Sequence, residues 1–190
     1  MSNETGPYYT EERWANWLSR LREEELDPED EDSARLLLNL QDDTAIAVAK
    51  ILTDYDDGAL EAEPALSELA NIQDVVLAEA DLEEEKAILL DGVQTSLLCV
   101  LYAAQEYVTD GPAAEGTVTE YVQAAAEAES DEEFDAALGY CVQAGTLVVD
   151  GEELDLGLAE ELEFGLVAEW VNGLDSLQTA LEDPEVVEED

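Results

Sequence analysis

Histidine is absent from this 190-residue sequence and cations are scarce: 6 Lys and Arg stand against 51 Asp and Glu, for a net charge of −45. Without imidazole there is no His–Ser or His–Cys nucleophile pair and no imidazole-ligated metal. Arg13, Arg20, Arg22, Arg35, Lys50 and Lys86 are the whole cation set. The last 104 residues therefore cannot form a salt bridge among themselves and must be held mainly by apolar burial. So few cations also argue against nucleic-acid binding, which draws its affinity largely from Lys and Arg on phosphates. Cysteine is nearly missing too: Cys99 and Cys141 lie among apolar neighbours, with no CxxC pair. Buried free thiols are expected there, rather than a disulfide or a zinc site.

Met1 to Glu12 has neither a basic segment nor an apolar run, so no signal peptide is expected. The longest uncharged apolar stretch, Gly92 to Gln105, has 14 residues, short of the roughly 20 that span a bilayer. Anionic lipid headgroups would repel so acidic a surface. A cytoplasmic protein without membrane attachment is expected.

The acids are spread evenly, 25 in residues 1–86 and 26 in residues 87–190. Like charges at this density favour expansion over the compact state. Screening reaches only about 8 Å at 0.15 M salt but tightens to about 3 Å at 1 M. Even spacing therefore points to a halophile's cytoplasm, where K+ and other salt counterions screen a hydrated carboxylate surface. An acidic nucleic-acid mimic or a chaperone for basic proteins would concentrate its charge on one face or tail.

Hydrophobic residues make up 46% of the chain, and their spacing is helical throughout. The pattern predicts an all-α bundle of about seven helices with one small β-hairpin near residues 146–156. Thr10 caps a first helix that carries Trp14, Trp17, Leu18 and Leu21 on one stripe, with Arg13 and Arg20 at its edge, and that ends near Leu26 before Pro28. A second helix runs from about Ser33 to the Asp57-Gly58 stop, with Leu37, Leu40, Thr44, Ala47, Val48, Ile51 and Tyr55 on one side. Pro64 opens a third helix. The fourth, about Leu82 to Val108, is apolar on several sides and belongs at the centre. After Asp110-Gly111-Pro112, two shorter helices occupy about Thr117–Glu129 and Asp131–Ala144, and Gly145 is read as the stop of the second. Residues 146–156 then form the hairpin around Asp150-Gly151, and a last helix covers about Gly157 to Leu181. The expected organisation is an N-terminal bundle over 1–110, a C-terminal helical segment over 111–182 packed on it, and an acidic tail over 183–190.

Carboxylates are so common that metal chemistry has to be judged by spacing. An EF-hand loop with Gly58 at position six would place Thr53 and Tyr55 where acids are needed and Pro64 where Glu belongs, so it fails. An E-E-x-x-E magnesium helix fails because Ile88, Ala136 and Phe164 occupy the third ligand position after Glu84-Glu85, Glu132-Glu133 and Glu160-Glu161. No phosphate loop or dinucleotide fingerprint exists. What remains for a Mg or Mn hydrolase is a set from separate helices, with Asp42, Asp43, Glu84 and Glu85 as the candidates. Residues Thr117–Leu156 have the helix–helix–hairpin order of a winged helix, but Asp131, Glu132, Glu133 and Asp135 would repel DNA, leaving protein contact as its use.

Trp14, Trp17, Arg13 and Arg20 are of the residue types enriched at interface hot spots, and they are the candidate contact surface for a protein partner or homodimer. The runs Tyr9-Thr10-Glu11-Glu12-Arg13-Trp14 and Leu36-Leu37-Leu38-Asn39-Leu40-Gln41-Asp42-Asp43 resemble an uncharacterised archaeal family, domain of unknown function 2150, in its haloarchaeal form. The resemblance implies a cytoplasmic archaeal protein and carries over no activity, cofactor or site residue. The expectation is a non-catalytic helical interaction or scaffold module without a cofactor. The alternatives are a carboxylate-metal hydrolase and a regulator using a winged-helix-like segment.

Overall fold

A computed structural model describes residues 9–25, 27, 29–155, 157, 161–162 and 165–182. Its helices are α1 (Glu11–Glu23), α2 (Glu31–Asp56), α3 (Ala62–Val76), α4 (Glu84–Asp110), α5 (Val118–Ser130), α6 (Phe134–Val149) and α7 (Leu166–Glu182). The chain is all-α, and no strand occurs among the described residues.

Local chemistry sets most of the boundaries. The Thr10 hydroxyl accepts the Arg13 N–H at 3.1 Å, and Glu11 and Glu12 fill the acidic first turn of α1. Thr117 caps α5 in the same way through the Glu120 N–H. Gly58 and Gly111 close α2 and α4 with φ of 81° and 82°, a backbone that a side chain resists. Two acids cap helices from outside. A Glu129 carboxylate oxygen accepts the Leu166 N–H at 2.7 Å, and Glu152 accepts the Val118 N–H at 2.6 Å. The cation-free half thus pairs carboxylates with the positive ends of α7 and α5.

Two apolar clusters share α4. Leu97, Val100, Leu101, Ala104 and Val108 face the first, with residues of α1, α2 and α3. Cys99 and Ala103 face the second, with Val122 of α5, Cys141 of α6, and Trp170 and Leu174 of α7. The apolar surround of α4 in the sequence follows from this double duty. Over 18 residues its mean hydropathy is 1.6, so by length and composition it could cross a membrane, although the uncharged run is shorter; half of that window is buried inside the protein.

The expected hairpin over 146–156 is not formed: residues 146–149 are helix, 150–151 turn, and 152–155 have no strand. Thr146 to Val149 form the last turn of α6, closed by Asp150 N–H to Thr146 O at 3.1 Å and Glu152 N–H to Leu147 O at 2.9 Å, with Gly151 at φ 109°. Leu156 lies outside the described residues. Gly145 does not stop the helix; it lets α6 approach α4. A Cβ there would overlap the Ala103 side chain and lie 2.9 Å from Leu174 Cδ2. Losing the hairpin also removes the wing, so the winged-helix order expected over 117–156 is not formed. Gly173 plays the same part on α7, where a Cβ would overlap the Ser96 carbonyl oxygen and lie 2.8 Å from its carbon. The last helix begins at Leu166, later than the Gly157 expected; residues 158–160 and 163–164 lie outside the described residues, as do Leu26 and the acidic tail 183–190.

These contacts separate the helix glycines by cost. Gly145→Ala and Gly173→Ala should each destabilise by about 2 kcal/mol or more through overpacking. Gly139, with nothing within 4 Å of an added Cβ, should gain about 0.5–1 kcal/mol as alanine. Thermal unfolding of the three variants in molar KCl checks the order.

Candidate functional site

The site begins with one carboxylate in an apolar stretch. Residues Asp43 to Ala49 of α2 are all buried, so α2 is enclosed on every side at mid-helix and Asp43 is 2% exposed. A charge there needs partners, and α1 supplies them at a spacing of four. Arg13 Nε donates to Asp43 Oδ2 at 2.7 Å while its Nη2 donates to Oδ1, completing a bidentate fork. Trp17 Nε1 adds a third donor at 2.9 Å. The Arg13 side chain is 52% exposed, so it closes the ion pair from the solvent side. Tyr9 lies beneath, with its ring centroid 5.8 Å from the Arg13 guanidinium. Burial pushes its phenol pKa up, opposed by the neighbouring Thr44 hydroxyl and raised further by Asp43.

Outward from this pair, the Arg20 guanidinium stacks 4.8 Å over the Trp17 ring. Arg13, Trp17 and Arg20 thus form one stripe along α1. Arg20 and Arg35 line a cleft of about 360 Å³ between the end of α1 and the start of α2, together with Glu24, Asp30, Asp32 and Asn39. Arg35 makes a loose pair with Asp32 at 3.8 Å. Leu38, one turn along α2, is 46% exposed. The remaining N-terminal cations work elsewhere. Lys86 Nζ donates to the Arg22 carbonyl at 2.8 Å at the end of α1, and Arg22 Nε donates to the Asp81 carbonyl at 3.1 Å.

The model of a family described as "Uncharacterized protein conserved in archaea (DUF2150)" matches residues 7–190. The chain belongs to that family. No curated protein and no solved structure matches it.

In this family member the residues expected from sequence divide between two roles. Trp14 is 4% exposed and packs into the first cluster, so it is a core residue. Trp17 is half-buried, Arg13 seals the ion pair, and Arg20 stays at the surface. Of the four carboxylates considered for metal, Asp43 is taken by Arg13 and Trp17. Glu84 and Glu85 are exposed in the first turn of α4. Asp42 turns towards Ser176 on α7. Among the described residues, no group of three or more Cys, Asp or Glu side chains is placed to hold a metal. The sequence reading missed Arg35 and Leu38, whose three-residue spacing on α2 puts them on one face.

A second group of acids lies where α7 packs on α2 and α4. Asp42 is held above its ordinary value of 3.8 by burial, against the Ser176 hydroxyl that lowers it and with Asp175 raising it. Asp175 is raised by burial and by Glu182. Glu169 is raised above 4.5 by burial, opposed by the Ser96 hydroxyl and reinforced by Asp91.

Two predictions follow from these environments. Arg13→Met leaves a buried carboxylate with one donor and should cost about 3 kcal/mol. Asp43→Asn leaves a guanidinium that water can reach and should cost about 1 kcal/mol. Chemical denaturation that ranks them the other way would refute the assignment of Asp43 as the buried partner. The second concerns pH. Carboxyls with raised folded pKa values bind more protons folded than unfolded just above 3.8 for Asp and 4.5 for Glu. Stability should therefore rise as the pH is lowered through the raised folded pKa values towards those ordinary ones, and fall as the pH is raised again. Melting curves in dilute salt should show the rise, and molar KCl should shrink it.

Proposed function

We propose that this protein is a non-catalytic interaction module of a high-salt archaeal cytoplasm, and that it self-associates through the α1–α2 face. The observation that carries this reading is where the positive charge lies. In a chain of net charge −45, Arg20, stacked on half-buried Trp17, shares a cleft with Arg35, and exposed Leu38 follows Arg35 by one turn of α2.

A second copy is the occupant that charge favours. A two-fold interface repeats the same patch on both sides. On this face it sets Arg20 and Arg35 of each copy among Glu24, Asp30 and Asp32 of the other. A contact built from residues 87–190 would set acid against acid, since no cation occurs there. Aromatic and arginine side chains around an apolar centre are what an interface uses for affinity. Molar salt, with a screening length of about 3 Å, silences the long-range repulsion between two such copies while leaving direct contacts in place. K+ and other counterions are thus part of the working state.

Light scattering on a sizing column in molar KCl tests this. The wild type should run as a dimer, and Trp17→Ala, Leu38→Glu and the double variant Arg20→Glu/Arg35→Glu should each weaken it about 10-fold or more. Trp14 is unsuitable because it supports the core. A monomeric wild type, or a dimer indifferent to all three changes, would remove the reading. Capture of a different protein by the wild type and not by the variants would assign the face to that partner instead.

A further inference from the structure

The chain's two cysteines meet in the core. Cys99 on α4 and Cys141 on α6 are both 0% exposed, both free, and both in the second apolar cluster. Four residues on from each lies a small residue at a close contact of these helices, Ala103 on α4 and Gly145 on α6. Each cysteine sits one turn back from that contact on its own helix, and Cys141 neighbours Cys99 closely enough to help raise its thiol pKa. A disulfide needs Cα atoms roughly 4.4–6.8 Å apart, an approach of the kind that an alanine–glycine helix contact permits.

We propose that Cys99 and Cys141 are an oxidative modification site, a dithiol that closes to an intramolecular disulfide pinning α6 to α4, with a small-molecule disulfide as the oxidant. One cysteine thiolate attacks a sulfur of the small disulfide, forming a mixed disulfide and releasing one small thiol. The other cysteine thiolate then attacks the protein sulfur of that mixed disulfide, forming the Cys99–Cys141 bond and releasing the second small thiol. The protein dithiol loses two electrons and two protons, and the two released thiols carry them. Both sulfurs are covered, so the first attack waits for α6 to lift from α4. Burial also pushes the Cys99 thiol pKa well up, which keeps the thiolate scarce until that opening occurs. The closed loop contains all of α5, so the disulfide ties the cation-free half to the central helix.

The test treats the full chain in molar KCl with bis(2-hydroxyethyl) disulfide, an uncharged oxidant that the acidic surface does not repel. The expected product has lost both thiols, weighs about 2 Da less than the reduced chain, stays unimolecular on a non-reducing gel and yields a peptide linking Cys99 to Cys141. Its melting temperature should rise by about 10 °C and fall back on reduction. Cys141→Ala, under the same treatment, should stop at a mixed disulfide on Cys99. In the wild type, a lasting mixed disulfide or an intermolecular cross-link would overturn the proposal. So would two free thiols after treatment in sub-denaturing guanidinium, where amide exchange shows α6 opening.

Discussion

Repulsion among 51 carboxylates is the constraint to which every contact in this fold answers. Six cations cannot offset it, and a surface ion pair such as Arg35–Asp32, at 3.8 Å with both side chains largely exposed, contributes little. What opposes expansion is the apolar interior that α4 joins into one body by facing both clusters. That interior is also unusually close where small residues meet. Gly145 against Ala103 and Gly173 against Ser96 bring α6 and α7 down onto α4. Close approach increases dispersion contact without adding large side chains, and it leaves the outer faces of the helices free for acids.

The acids themselves are not all passive. Glu129 and Glu152 accept backbone N–H groups at the starts of α7 and α5, where the helix dipole favours negative charge. A half-molecule without Lys or Arg thereby obtains electrostatic stabilisation from its own backbone. Asp42, Asp175 and Glu169 show the opposite situation. They are half-buried where α7 packs on α2 and α4, with hydroxyls as partial compensation for Asp42 and Glu169 alone, and their ionised forms are disfavoured. Salt and protons therefore act on the same weakness, one by screening the charge and the other by removing it.

Much of the helical frame was legible because its signals are local. Thr10, Gly58, Gly111 and the apolar periods of α1 to α4 each place an element with no knowledge of the rest. The failures share a cause that lies outside any local window. Gly145 reads as a stop because glycine after an apolar helical run usually is one; only the presence of Ala103 across the interface makes it a packing residue. The run Thr146-Leu147-Val148-Val149 is β-branched and apolar, as a strand would be, yet it completes a buried helical turn. In α2 the sequence showed one apolar side, whereas the stretch from Asp43 to Ala49 is enclosed all round. Trp14 and Trp17 looked equivalent on one stripe. Three residues of helical rotation turn one into the core and leave the other at the rim.

The cations reward the closest reading. Arg13 stands at the edge of the apolar stripe of α1, and its partner is a buried carboxylate of α2. A guanidinium that spans from a 2% exposed carboxylate to solvent does two things. It neutralises Asp43 where water cannot, and it orients Trp17 through the same carboxylate oxygen, which in turn carries Arg20 on its face. The charge spent inside the protein thus fixes the position of charge presented outside it. With 51 acids drawing on 6 cations, such an arrangement sets Arg20 and Arg35 among the acids of the α1–α2 cleft, and the rest of the surface is left to the salt.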